Sequence, residues 1–120
     1  MNHTPSRRAL PFQVELPLFS APMFLVSGPE LVVAACRAGI VGAFPTPNAR
    51  PIEKLDEWMK HITESLARAR DEQAAETIGP WCANLVTHSS NSRLPEDLAL
   101  VARYKPPIVV TALGSPKPAI

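Results

Sequence analysis

Four short apolar runs separated by three helical patterns predict an α/β chain built from parallel β/α units. The runs are Leu16–Ala21, Ile40–Phe44, Trp81–Val86 and Ile108–Leu113, each bounded by Pro, Gly or polar residues. The stretches between them are long enough for the crossovers that parallel strands require. Beyond this alternation the sequence has no internal repeat of fixed period.

Residues 1–14 are polar and then mixed, with Pro5 and Pro11, and read as an irregular lead-in with room for a short leading strand. Leu16–Ala21, bounded by Pro17 and Pro22, has the length of a strand buried on both faces. Ser27 then stands at an N-cap position with Glu30 three residues on, the spacing of a capping box, and Pro29 sits in the first turn, where its missing N–H costs nothing. The helix so opened runs from about Gly28 to Ala38, with Leu31, Val32, Ala35 and Ala38 on one face, and Gly39 stops it. Ile40–Phe44 is the second strand, closed by Pro45-Thr46-Pro47-Asn48.

The longest helix extends from near Pro51 to about Glu72. Ile52, Leu55, Met59, Ile62 and Leu66 recur along one stripe, while Glu53, Asp56, Glu57, Lys60, Glu64 and Arg68 face water. A loop from Asp71 to Gly79 leads to the third strand, Trp81–Val86, and to a polar loop, Thr87–Arg93. Pro95 opens the last helix, which Glu96 and Asp97 favour electrostatically, with Leu98, Val101 and Ala102 turned inward. Tyr104-Lys105-Pro106-Pro107 ends it, and Ile108–Leu113 is the fourth strand, followed by Gly114-Ser115-Pro116.

With 120 residues, 46% of them apolar, and a formal net charge of +1, the chain has the bulk composition of one globular domain. No basic tract interleaved with aromatics gives a footprint for nucleic acid. The apolar runs break well before the ~18 to 20 residues of a membrane span, and Met1 to Leu10 lacks the apolar core of a signal peptide. The expectation is a soluble, cytoplasmic protein with no nucleic-acid or membrane partner. Cys36 and Cys82 have no second Cys or His at ligand spacing, so they read as buried thiols in a reducing compartment rather than a disulfide or metal site.

In parallel α/β folds, sites collect in the loops after the C-terminal strand ends, which here begin at Pro22-Met23, Pro45-Thr46, Thr87-His88 and Gly114-Ser115. Met23 taken alone is an ordinary filler of core gaps. Asn84 is the sharper candidate, because a carboxamide in an otherwise apolar strand is costly to bury unless it finds partners, whether a ligand or loop backbone. His88 is the one candidate general base; a loop histidine ordered by the neighbouring hydroxyls is the favoured reading of it, since no Ser/His/Asp or Cys/His set can be assembled. His61, on the charged helix, and His3, near the start of the chain, are set aside.

Ala21-Pro22-Met23, the Ser27-Gly28-Pro29-Glu30 helix start, Ala38-Gly39-Ile40-Val41-Gly42, Pro80-Trp81-Cys82-Ala83-Asn84-Leu85-Val86 and Pro107-Ile108-Val109-Val110-Thr111-Ala112-Leu113-Gly114 occur in this order. Together they resemble the N-terminal part of the nitronate monooxygenase family, formerly called 2-nitropropane dioxygenases. The family's members are FMN-dependent β/α barrels that oxidise alkyl nitronates with dioxygen to a carbonyl compound and nitrite, without reduced nicotinamide. The resemblance implies roughly the first half of a TIM-type (β/α)8 barrel, since a whole one needs ~250 residues. It also implies that Ala21, Pro22, Met23 and Asn84 hold one side of FMN. The family's catalytic His belongs to a Gly-Gly-His segment after a later strand, which these residues do not include, so no catalytic residue is assigned.

Two alternatives stand beside this expectation. One is an FMN-dependent enoyl-acyl-carrier-protein reductase of the same flavin-barrel group, told apart by nicotinamide oxidation. The other is a non-catalytic, truncated half-barrel whose open sheet edges invite a second copy.

Overall fold

The computed structural model describes residues 9–120. Elements follow in the order β1 (Phe19–Ser20), α1 (Pro29–Arg37), β2 (Val41–Pro45), α2 (Ile52–Glu72), β3 (Trp81–Val86), α3 (Leu94–Tyr104) and β4 (Ile108–Ala112). Short 3-10 turns occupy Thr46–Asn48 and Lys117–Ala119. The four strands form one parallel sheet in the order β1-β2-β3-β4, so the α/β expectation holds at the level of its parallel β/α units.

The first strand is much shorter than the apolar run Leu16–Ala21. The Leu18 amide turns back to the Leu16 carbonyl at 2.8 Å, leaving Phe19 and Ser20 to pair with Val41 and Gly42. The second strand lies one residue later than expected, at Val41–Pro45, because Ile40 is spent on the helix exit: its amide bonds the Ala35 carbonyl. Gly39 does stop α1. Its φ of +89° suits only glycine, and a Cβ there would lie 2.6 Å from that of Glu15. The close approach lets the Glu15 amide donate to the Gly39 carbonyl at 2.7 Å, which fixes the lead-in beneath the sheet.

All three helices cover one face. Val32 and Cys36 of α1, Leu55, Met59, Ile62, Leu66 and Ala69 of α2, and Phe44, Trp81 and Ala83 of the sheet make one buried cluster, against which Leu100, Val101 and Tyr104 of α3 pack. Phe44 stacks on Trp81 at 6.3 Å and meets Trp58 edge-on at 5.7 Å. Helix α1 sits so close that a Cβ on Gly42 would lie 2.4 Å from the Val32 carbonyl oxygen. The inward set of α3 differs from the expected one: Ala102 is exposed, whereas Leu100 and Tyr104 turn in, and the Tyr104 hydroxyl donates to the Asp56 carboxylate of α2. That hydrogen bond, with burial behind it, raises the Tyr104 pKa.

Alternation along the strands sends the intervening residues to the other, helix-free face. Its lower half is covered: Phe12 and Val14 from the lead-in pack with Ile108 on Val41, Ala43 and Cys82. Its upper half, at the C-terminal strand ends, carries no such cover among the described residues. No helix among the described residues is long and apolar enough to cross a membrane.

Candidate functional site

The uncovered upper half holds a cavity of about 340 Å³. Pro22 and Phe24 from the β1–α1 loop, Pro45 from the end of β2, Asn84 and Val86 from β3, and Leu113 after β4 line it. Two of the four strand-end loops foreseen as site loops, those beginning at Pro22 and Pro45, therefore converge there with the ends of β3 and β4, whereas the loops beginning at Thr87 and Gly114 do not line it.

Asn84 is the one residue among these six with a polar side chain. It is 8% exposed, and its Nδ2 donates to the Val110 carbonyl at 3.1 Å, so β4 fixes the carboxamide plane. Among the described residues no donor meets its Oδ1, and none of their buried side-chain N or O atoms lacks a partner. This side chain, which lines the cavity, thus has one atom tied to the sheet and one acceptor without a donor among the described residues.

The β1–α1 loop is built differently from its sequence reading. Ser27 does not cap α1; Gly28 holds the N-cap position and the helix start has no side-chain cap. Instead, Ser27 is buried under the loop, where its Oγ accepts from the Met23 amide at 2.8 Å and donates to the Ala21 carbonyl at 3.3 Å. Asn48, from the turn after β2, finishes the work: its Oδ1 accepts from the Leu25 amide at 2.8 Å, and its Nδ2 donates to the Met23 and Ser27 carbonyls, both at 2.9 Å. The Ala21-Pro22-Met23 backbone is therefore engaged within the protein. Pro22 faces the cavity, Met23 and Ala21 are exposed beside it, and Phe24 supplies the wall on that side.

Within this hydrogen-bonded loop Leu25 adopts φ +63° and is 78% exposed. Sequence reading missed Asn48 as the staple, although an Asn at the close of a strand, within reach of a preceding loop, was the available signal.

His88 lies past the end of β3 in an exposed turn. Its Nδ1 accepts from the Ser90 amide at 3.1 Å and meets the Ser90 hydroxyl at 2.8 Å, which leaves the ring proton on Nε2 when the imidazole is neutral. It does not line the cavity. His61 is on the exposed flank of α2, and His3 lies outside the described residues.

A larger opening, about 750 Å³, runs between the start of α2 and the β3–α3 loop, with Arg50, Glu53, Ser90, Arg93 and Glu96 on its walls. Its opposite charges balance. Arg93 is already committed, donating to Asp97 at 2.8 Å and to the Thr46 and Ala49 carbonyls. Asp97, in the first turn of α3 as expected, is fully buried and also accepts from the Thr46 hydroxyl at 2.8 Å. This is a brace between α3 and the turn after β2, and the smaller, apolar cavity is the better ligand site.

Cys36 and Cys82 are free, buried thiols, each raised to about 11 by loss of solvation. No cluster of metal-ligating side chains occurs among the described residues. Compared with known proteins, the chain matches no family model and no curated sequence.

Proposed function

We propose that the cavity above the sheet is the first wall of an FMN site, in an oxidoreductase that converts alkyl nitronates and dioxygen to a carbonyl compound and nitrite. The observation that carries this reading is the meeting of Pro22 and Asn84, sixty-two positions apart, on one apolar cavity at the C-terminal strand ends. They are two of the four residues that the resemblance implies at the flavin; the other two, Ala21 and Met23, do not line the cavity. The sequential strand order supports a barrel, because an unreversed β1-β2-β3-β4 sheet keeps every crossover helix on one face, whereas a doubly wound sheet reverses its order.

The residues suit the ring of a flavin. Pro22, Phe24, Val86 and Leu113 would contact its apolar body, and the Asn84 Oδ1 would accept from a ring N–H. A volume of about 340 Å³ suits the ring system and not the whole nucleotide, so the ribityl phosphate needs groups from outside this cavity. The bound flavin supplies the two-electron oxidation and the reaction with dioxygen. The chain's own share is to orient the ring through Asn84, held by Val110, and to exclude water from one side of it through the proline-rich rim.

With one wall alone, the 120-residue chain is expected to bind FMN weakly and to turn over no nitronate. The test is titration of the purified chain with FMN, followed by flavin fluorescence, with Asn84→Leu in parallel. Weak saturable binding that Asn84→Leu reduces roughly tenfold supports the site. Equal binding by both proteins, or none, removes it. Nitrite release by the purified chain would overturn the one-wall statement.

A further inference from the structure

The turn that follows β2 is gripped from two sides. On the α3 side, Asp97 and Arg93 hold both of its ends. The Thr46 hydroxyl donates to Asp97 Oδ2 at 2.8 Å, and the Arg93 guanidinium donates to the Thr46 and Ala49 carbonyls while its Nε bonds Asp97 Oδ1 at 2.8 Å. Thr46, Ala49 and Asp97 are fully buried, so water has little access to these links. Asn48, which stands between the two ends, sends its carboxamide the other way, to the Leu25 amide and to the Met23 and Ser27 carbonyls of the β1–α1 loop.

The ion pair is itself set from β3. Asn91 Nδ2 donates to the Val86 carbonyl at 2.7 Å, and Asn91 Oδ1 accepts from the Arg93 amide at 3.2 Å, so the end of β3 fixes where the arginine side chain starts. Val86 and Pro47 line the apolar cavity and the larger polar opening alike, and so form a partition between them. One connected set of hydrogen bonds thus runs from the end of β3, through the ion pair and the turn, to the loop that carries Pro22 and Phe24.

Cohesion alone does not call for a buried carboxylate here, because packed apolar side chains supply it without the cost of desolvating a charge. A guanidinium fork and a two-oxygen acceptor add fixed geometry, holding both ends of one turn in register.

We propose that Asp97, Arg93 and Thr46 are positioning residues for the apolar cavity, acting through Asn48 on the β1–α1 loop, although none of the three lines that cavity. What the wall then holds rests on the flavin reading; how the wall is set does not.

The experiment is amide hydrogen exchange of the full chain by NMR, without flavin, paired with the FMN titration. Thr46→Val removes the donor to Asp97 and keeps the shape, Thr46→Ser keeps the donor, and Tyr104→Phe removes the α3 hydrogen bond to Asp56 as a control for loosened helix packing. Thr46→Val should speed exchange of the Leu25 amide, which ends on Asn48, about tenfold, and that of the Met23 amide, which ends on Ser27 within its own loop, less than about twofold. Thr46→Ser and Tyr104→Phe should both leave Leu25 as in the unaltered chain. Arg93→Lys, which cannot bridge both carbonyls, gives the same contrast if Thr46→Val does not fold. FMN binding should weaken about threefold or more in Thr46→Val and return in Thr46→Ser. Leu25 exchange unchanged in Thr46→Val, or equally fast in Tyr104→Phe, overturns the proposal, as does a Thr46→Val chain that binds FMN as the unaltered chain does. If the unaltered chain binds no FMN, the flavin reading falls and the exchange comparison still decides whether these residues set the loop.

Discussion

Three backbone groups of the β1–α1 loop end on the single side chain of Asn48. Asn48→Ala would leave those groups to water, and a cost of about 1 to 2 kcal/mol is expected from urea unfolding. The same change should weaken FMN binding, since Pro22 and Phe24 owe their position to that loop. The two thiols give a residue-scale prediction in pH. Both are raised in the folded protein from 9.0 to about 11, so the folded state holds its protons where the unfolded state has released them. Their contribution is full below about pH 9 and is lost as the pH rises toward 11, at roughly 1 kcal/mol per thiol per pH unit. Stability measured by denaturant across pH 8 to 11 should fall accordingly, and Cys36→Ala with Cys82→Ala should flatten the slope. At pH 8 neither thiol should react with a disulfide reagent until the protein unfolds.

Elements here are held to one another by few but buried polar links. Helix α3 is braced to the turn after β2 through Asp97, which is 0% exposed and bonded to both Thr46 and Arg93. Asp97→Ala should cost about 3 kcal/mol, because it strands a partly buried guanidinium that keeps only carbonyl partners. Asp97→Asn, which can still accept from Thr46, should cost less. Thermal and urea unfolding of the two variants would measure the difference, and equal, small losses would show that the brace contributes little. Helix α2, by contrast, is held by the apolar stripe of Leu55, Met59, Ile62, Leu66 and Ala69, which periodicity alone identifies save for its last member.

For the molecule as a whole, two properties coexist: a well-buried centre and open sides. The amides of β2 and β3 are paired on both sides, and their helix-facing side chains are packed under three helices. Among the described residues, the outward amides of Phe19, Val109 and Thr111 meet no partner strand. Hydrogen exchange of the dilute chain should show strong protection across Trp81–Val86 and little at these three positions.

The sequence by itself determined the α/β class, the parallel crossovers, the full extent of Trp81–Val86, the stop at Gly39 and the buried stripe of α2. Each of these follows from local periodicity and from the conformational limits of Gly and Pro, which act within a few residues. Only the tertiary structure decided that Ser27 serves the loop rather than the helix, that Asp97 is buried, and that Asn48 and Phe24 belong to the site. Each of those outcomes depends on which donor or acceptor from a distant element arrives within about 3 Å. Such an arrangement is set by the packing of the whole sheet, and no spacing along the chain encodes it.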